Sequence, residues 1–207
     1  MRSSSPGPSA PPLTVAGIVL SAGRSTRMGR SKALLAIAGE TFVERAVWVL
    51  REGGCGSVVV VVSTDEELAR RAERAGGRVV VNPAADAEPI DSLRLGLDAL
   101  QAGDDAAAVL PVDHPLVRPA TVAALLAAYR ATRAPIVRPV HRGSPGHPTL
   151  FARSLFPSLR SPGLPEGARS VVDANLDRIV EVPVDDPGAA VDIDTPDAYR
   201  RLVERAS

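Results

Sequence analysis

Four cations, Arg24, Arg27, Arg30 and Lys32, stand close together just after an apolar run, Val15 to Leu20. Between them lies Ser21-Ala22-Gly23, where small side chains let a ligand approach the main chain closely. Small residues, free backbone N–H groups and several cations on one loop suit a polyphosphate; a solvated basic loop is the alternative. Two acids could complete such a site. Asp113 ends the segment Val109-Leu110-Pro111-Val112, and Asp194 closes Val191-Asp192-Ile193 ahead of Thr195-Pro196. A carboxylate facing a triphosphate is useful chiefly when Mg²⁺ lies between them, whereas a turn or cap aspartate is the plainer role. Alternation along a strand would turn Asp192 and Asp194 the same way, with Ile193 opposite.

Two other phosphate loops are excluded by spacing. Gly23 and Gly29 are too far apart for G-x-x-x-x-G-K, Lys32 does not follow the second glycine, and G-x-G-x-x-G is absent. Ser92, in Asp91-Ser92-Leu93, can cap the helix that carries Leu93, Leu97 and Leu100. His147 lies in Ser144-Pro145-Gly146-His147-Pro148, a turn entering a strand, and Arg169 opens a short helix. His114 reads as a turn residue, and the three histidines have no metal-ligand spacing. Cys55 sits between glycines with no evident base nearby, so a covalent nucleophile is not expected.

The elements that must position these residues alternate. Val15 to Leu20, the five valines 58–62, Arg78 to Val81 and the run from Ala106 to Pro111 read as buried strands. Helices are predicted over Thr41 to Arg51, Asp65 to Ala75 and Pro119 to Arg130, and a later strand over Arg178 to Val182. Strand and helix in such alternation predict a mostly parallel sheet with right-handed crossovers and helices on both faces. Ligands of such sheets collect beyond the carboxyl ends of the strands, where the Ser21–Lys32 loop falls.

A chain of 207 residues has ample length for one α/β domain, here 13–207. Lys plus Arg equals Asp plus Glu, 24 against 24, which argues against bulk electrostatic binding of nucleic acid or an anionic membrane. The single cysteine excludes an internal disulfide and a Cys-rich zinc site. Residues 1–12 read as a disordered Pro/Ser tail rather than a signal peptide, because prolines fill the place of an apolar core. A cytoplasmic enzyme is the expectation.

The stretch Leu20 to Lys32 resembles the signature of the MobA-like nucleotidyltransferases, L-x-[AG]-G-x-S-x-R-M-G-x-x-K. The resemblance continues through D-S-L-x-x-G-L at Asp91 to Leu97, the Asp113 segment and D-T-P at Asp194 to Pro196, covering about residues 14 to 205. It implies a three-layer α/β/α sandwich with a Rossmann-like sheet, of the nucleotide-diphospho-sugar transferase kind. It also implies that an NTP is wrapped by Leu20, Ser21, Ala22, Gly23 and Arg24, with Asp91 and Ser92 at the base. Arg27 would hold the β/γ end, Lys32 the α-phosphate, and Asp113 and Asp194 would bind Mg²⁺, with Asp192 as neighbour or understudy. Gly146, His147 and Arg169 resemble acceptor-side segments of the molybdenum-cofactor cytidylyltransferase branch. That branch implies CTP as donor, molybdopterin-bound molybdenum as acceptor and a molybdoenzyme client. A sugar- or alditol-phosphate nucleotidyltransferase, or a non-catalytic nucleotide-binding or cofactor-insertion protein, is the alternative.

Overall fold

The computed structural model describes residues 13–22, 31–84 and 88–206; the proposed tail 1–12, Gly23, Arg24 and Arg27 lie outside the described residues. The first apolar run forms β1 (Val15–Ser21), with Val15 and Val19 facing one core and Ile18 the other. A short hairpin of β2 (Ala36–Ile37) and β3 (Glu40–Thr41) leads into α1 (Phe42–Glu52). Thr41 starts that helix: its hydroxyl accepts from the Glu44 N–H, and the Glu44 carboxylate accepts from the Thr41 N–H at 2.8 Å. Phe42, Ala46 and Val49, the face expected from spacing, are all buried. The valine run forms β4 (Ser57–Val62), sending Val58, Val60 and Val62 to one core and Val59 and Val61 to the other. Full burial of a valine side chain contributes about 1.5–3 kcal/mol, so this strand ties both layers to the sheet.

Asp65 caps α2 (Glu66–Arg74), which returns to the edge strand β5 (Arg78–Val81). The next helix, α3 (Pro89–Asp98), corrects an expectation. Ser92 is not its cap, because Pro89 at the first turn sets the start earlier. The Glu88 N–H there donates to the Asp91 carboxylate at 3.1 Å. Ser92 lies inside the helix and is buried. The helix packs closely on β1, since a Cβ on Gly96 would come within 2.7 Å of Ile18 Cγ2. The chain then continues through β6 (Ala106–Pro111), α4 (Pro119–Thr132), β7 (Ile136–His141), β8 (Ser144–Pro145) and β9 (Thr149–Ala152). It ends with α5 (Phe156–Arg160), α6 (Ala168–Asp173), β10 (Ile179–Pro183) and α7 (Pro196–Ala206).

The main sheet has the order β10-β7-β9-β6-β1-β4-β5, with β8 paired to β7. β1 runs parallel to β4 and β6, β4 to β5, and β10 to β7, whereas β9 is antiparallel to both β6 and β7. Side chains of α1, α2 and α4 fill one face and those of α3, α5 and α6 the other. This is the expected three-layer α/β/α sandwich. In register, Leu20 stands beside Pro111 and Ser21 beside Val62, so the carboxyl ends of β1, β4 and β6 share one edge. No helix among the described residues is long and apolar enough to cross a membrane.

Candidate active site

Beyond that shared edge, Lys32 meets two carboxylates. The loop after β1 re-enters the described chain at Ser31 and forms one 3₁₀ turn, Lys32–Leu34. Buried Ala33 and Leu35 fix its backbone against the core, which leaves the lysine side chain to reach forward. Its ammonium hydrogen-bonds Asp194 Oδ1 and lies 3.7 Å from Asp113 Oδ2. The lysine side chain is only 18% exposed, so Lys32 is not the unpacked loop cation that its sequence context suggests.

Asp113 is placed by the sheet. The Val112 N–H donates to the Leu20 carbonyl at 3.1 Å, extending the β1–β6 pairing by one bond, and the chain then turns. Asp113 Oδ1 is buried without a hydrogen-bond partner among the described residues. Burial pushes its carboxyl above the usual range against the pull of His114 and Lys32, and the neighbouring Asp194 raises it further. Asp194 arrives differently from the expectation. Residues 191–194 form no strand, so alternation does not set the directions of Asp192 and Asp194. Instead buried Ile193 donates its N–H to the Asp113 carbonyl at 2.8 Å, which puts the two acids side by side. Asp192 is exposed. Thr195 caps α7, accepting from the Ala198 N–H at 3.2 Å. Tyr199 then pins the helix by donating to the Ala36 carbonyl at 2.8 Å.

Asp113 and Lys32 line a cavity of about 360 Å³ with Leu20, Ser21, Ala22 and Ser92, and Asp194 reaches it through its hydrogen bond with Lys32. The Ser21 hydroxyl is buried there with no partner among the described residues. Ser92 accepts at 3.1 Å from the side-chain amide of Asn82, a buried residue that sequence reasoning missed. Its only sequence signal is its place directly after the β5 run, at the edge where ligands gather. Asp91, expected beside the nucleotide, lines neither this cavity nor its neighbour. Its carboxylate is spent on the start of α3 and on Arg94 at 3.0 Å.

A larger cavity of about 690 Å³ adjoins this one, and His147 lines both, with Leu20, Pro89 and Pro111. The larger cavity has apolar walls, among them Leu20, Ile90, Leu93, Val109, Phe151 and Val172. Its rim carries Arg169, which is exposed and 3.6 Å from Asp173. Gly146 is required by contact: a Cβ there would lie 2.2 Å from the Ala189 carbonyl oxygen. The backbone N–H of His147 donates to that same oxygen at 2.8 Å, which fixes the main chain that carries the ring. It stacks at a tilt on His114, with centroids 4.6 Å apart, and Nδ1 of each ring is buried without a partner among the described residues. His114 is therefore part of the site rather than a plain turn residue. The two rings meet because β9 runs antiparallel to β6, pairing Thr149 with Val109.

Burial, then the neighbouring His114, pushes the His147 imidazole down to about 4, and a hydrogen bond to the Val109 backbone opposes the shift. A consequence is testable. Between the ordinary value of 6.5 and about 4 the unfolded chain takes up a proton here that the folded chain does not. Acidification through that window therefore lowers stability. His147→Asn is expected to flatten the decline of Tm between those pH values; an unchanged slope would show that the ring is already charged when folded.

The sheet order, the helices on both faces and a site at the strand ends define the fold of nucleotide-diphospho-sugar transferases. Within that class, residues 17–179 match the MobA-like NTP transferase domain, and the chain belongs to that family. A probable molybdenum cofactor guanylyltransferase of Opitutus terrae is 38% identical over 125 residues, 60% of this chain and 60% of that protein. The match thus spans three fifths of that relative's length. The nicotine blue oxidoreductase of Paenarthrobacter nicotinovorans is 30% identical over 197 residues, 91% of this chain and 96% of that one. Among solved structures, Rv0371c of Mycobacterium tuberculosis superimposes with a TM-score of 0.81 at 29% identity, covering 93% of this chain and 98% of that one. A second structure of Rv0371c is a complex with manganese, with a TM-score of 0.75 at 28% identity over 93% and 98% of the two chains.

Proposed function

We propose that this protein transfers a nucleoside monophosphate from CTP to a phosphate-bearing, molybdopterin-type acceptor, releasing pyrophosphate. The observation that carries the reading is the convergence of Lys32, Asp113 and Asp194 at the strand edge from which the Ser21–Lys32 loop departs. A phosphate oxygen of the acceptor forms the new bond to the α-phosphorus. The bond from that phosphorus to the bridging oxygen breaks, and pyrophosphate leaves with the electron pair. No covalent enzyme intermediate is needed; positioning and charge neutralisation supply most of the acceleration.

The residues present fit a Mg²⁺ ion. Asp113 offers a buried, unpartnered oxygen, Asp194 a second hard donor beside it, and an ammonium group already rests between them. Bound there, Mg²⁺ would neutralise phosphate charge. Lys32 is the cation placed to follow charge on the α-phosphate, with Arg27 assigned to the β/γ end by its motif. Ser21 and Ser92 offer hydroxyls along the smaller cavity, and Gly23 and Arg24 belong to the same loop.

The larger cavity supports a flat acceptor. Sugar and alditol phosphates carry a hydroxyl on nearly every carbon and call for many polar partners, because a buried polar group without one is costly. The walls here are mostly apolar, which suits a ring system. For the donor, Ala22 lines the smaller cavity, and Ser21-Ala22-Gly23 resembles the A-A-G form of the cytidylyltransferase branch more than the A-G-G form of the guanylyltransferase branch, which supports CTP. The relative named for oxidoreduction shares nearly the full length. A lysine between two carboxylates, however, serves phosphate charge and has no evident part in hydride transfer.

Thermal-shift measurements with Mg²⁺ and each NTP test the donor. CTP is expected to stabilise most, by about 2.7 kcal/mol at a hundredfold excess over Kd. A larger shift with GTP would assign the protein to guanylyl transfer, and no shift with any NTP would overturn the reading.

A further inference from the structure

We infer that Lys32 is the resident cation of the metal site in the nucleotide-free protein, so that metal and nucleoside triphosphate are taken up cooperatively. The inference rests on the nucleotidyltransferase reading of Asp113 and Asp194 and adds to it a binding order. The Lys32 ammonium is hydrogen-bonded to Asp194 Oδ1 and within 3.7 Å of Asp113 Oδ2. A divalent ion shared by these carboxylates sits about 2.1 Å from its oxygen ligands. The ammonium and the ion therefore compete for Asp194 Oδ1, and their like charges repel within one small site.

The lysine can yield without unfolding anything. Its main chain is fixed by the 3₁₀ turn and by buried Ala33 and Leu35, while its four-carbon stem is free to change rotamer. The smaller cavity that Lys32 lines is where the triphosphate is assigned, and the phosphates there offer the ammonium a new partner. Nucleotide binding thus draws Lys32 from the carboxylates and opens them to the metal. By linkage the metal must favour the nucleotide to the same degree. Free metal alone faces a pair whose charge is already half neutralised by Lys32. In this arrangement the lysine suppresses metal binding at rest and supports the reaction once nucleotide is present.

Mn²⁺ binding to the full chain, followed by electron paramagnetic resonance, tests this without any turnover. Lys32→Met is expected to bind Mn²⁺ more tightly than wild type when nucleotide is absent, by at least about fivefold, the low end of coupling between sites. CTP should then improve Mn²⁺ affinity less in the variant than in wild type. Lys32→Gln, which keeps hydrogen-bond donors for Asp194 but not the charge, should behave like Lys32→Met and guards against a misfolded variant. Equal Mn²⁺ affinity in wild type and both variants would overturn the inference while leaving the metal site standing. Mn²⁺ binding that is absent from all three proteins even with CTP, or that survives Asp113→Asn unchanged, would overturn the underlying reading of the carboxylates instead.

Discussion

Replacing Asp113 or Asp194 by asparagine is expected to abolish nucleotidyl transfer while leaving the fold intact. Each loss should exceed about a hundredfold, the upper range for residues that merely support a metal ligand from behind. The stability side of the prediction has the opposite sign for Asp113. Its carboxyl is held above the usual range, chiefly by burial, so the ionised form costs the folded state more than the unfolded one. That cost is present at neutral pH and disappears as the pH falls through the raised value. Metal-free Asp113→Asn should therefore melt no lower than wild type at neutral pH, and the two curves should converge on acidification. Transfer assays and pH-dependent melting on one preparation check both halves. An active Asp113→Asn, or one that unfolds at neutral pH, would show that the carboxylate serves structure and not phosphate chemistry.

Lys32→Ala is expected to lower kcat by about 10²–10³-fold, the usual loss when one preorganised donor to transition-state charge is removed. The main effect should be on kcat rather than on the KM for the acceptor, because Lys32 lines the smaller cavity and not the larger one. The substitution also leaves two adjacent carboxylates without their ammonium, so the resting protein should melt lower, and Mn²⁺ should restore it more than it does wild type. Steady-state kinetics with CTP varied at saturating Mg²⁺ provide the test. Wild-type turnover in Lys32→Ala would remove the loop from the chemistry.

Much of this architecture was legible because buried parallel strands have few sequence solutions. Val58 to Val62 can hardly be anything but a central strand, and all five valines are buried on the two faces of β4. Apolar spacing marked the helix over Thr41 to Arg51, and α1 runs Phe42–Glu52 with Thr41 as its cap. Three features of the site were not legible. Val191-Asp192-Ile193-Asp194 alternates like a strand, yet β6 is already flanked by β1 and β9, so no edge is left for it. Its place is set by one long-range hydrogen bond, from Ile193 to Asp113. Ser92 has the right chemistry for a cap, but Pro89 claims the first turn and Asn82 claims the hydroxyl. The meeting of His114 and His147 depends on β9 inserting antiparallel beside β6, a choice made by tertiary packing and invisible to local periodicity.

The account rests most directly on the fate of the α-phosphate. CTP labelled at the α-phosphorus, incubated with Mg²⁺, the protein and molybdenum cofactor, should pass its label to the cofactor and release one pyrophosphate per label transferred. The same mixture with Asp194→Asn should do neither. Label that stays in the nucleotide, or release of orthophosphate in place of pyrophosphate, would contradict nucleotidyl transfer as the work of this site.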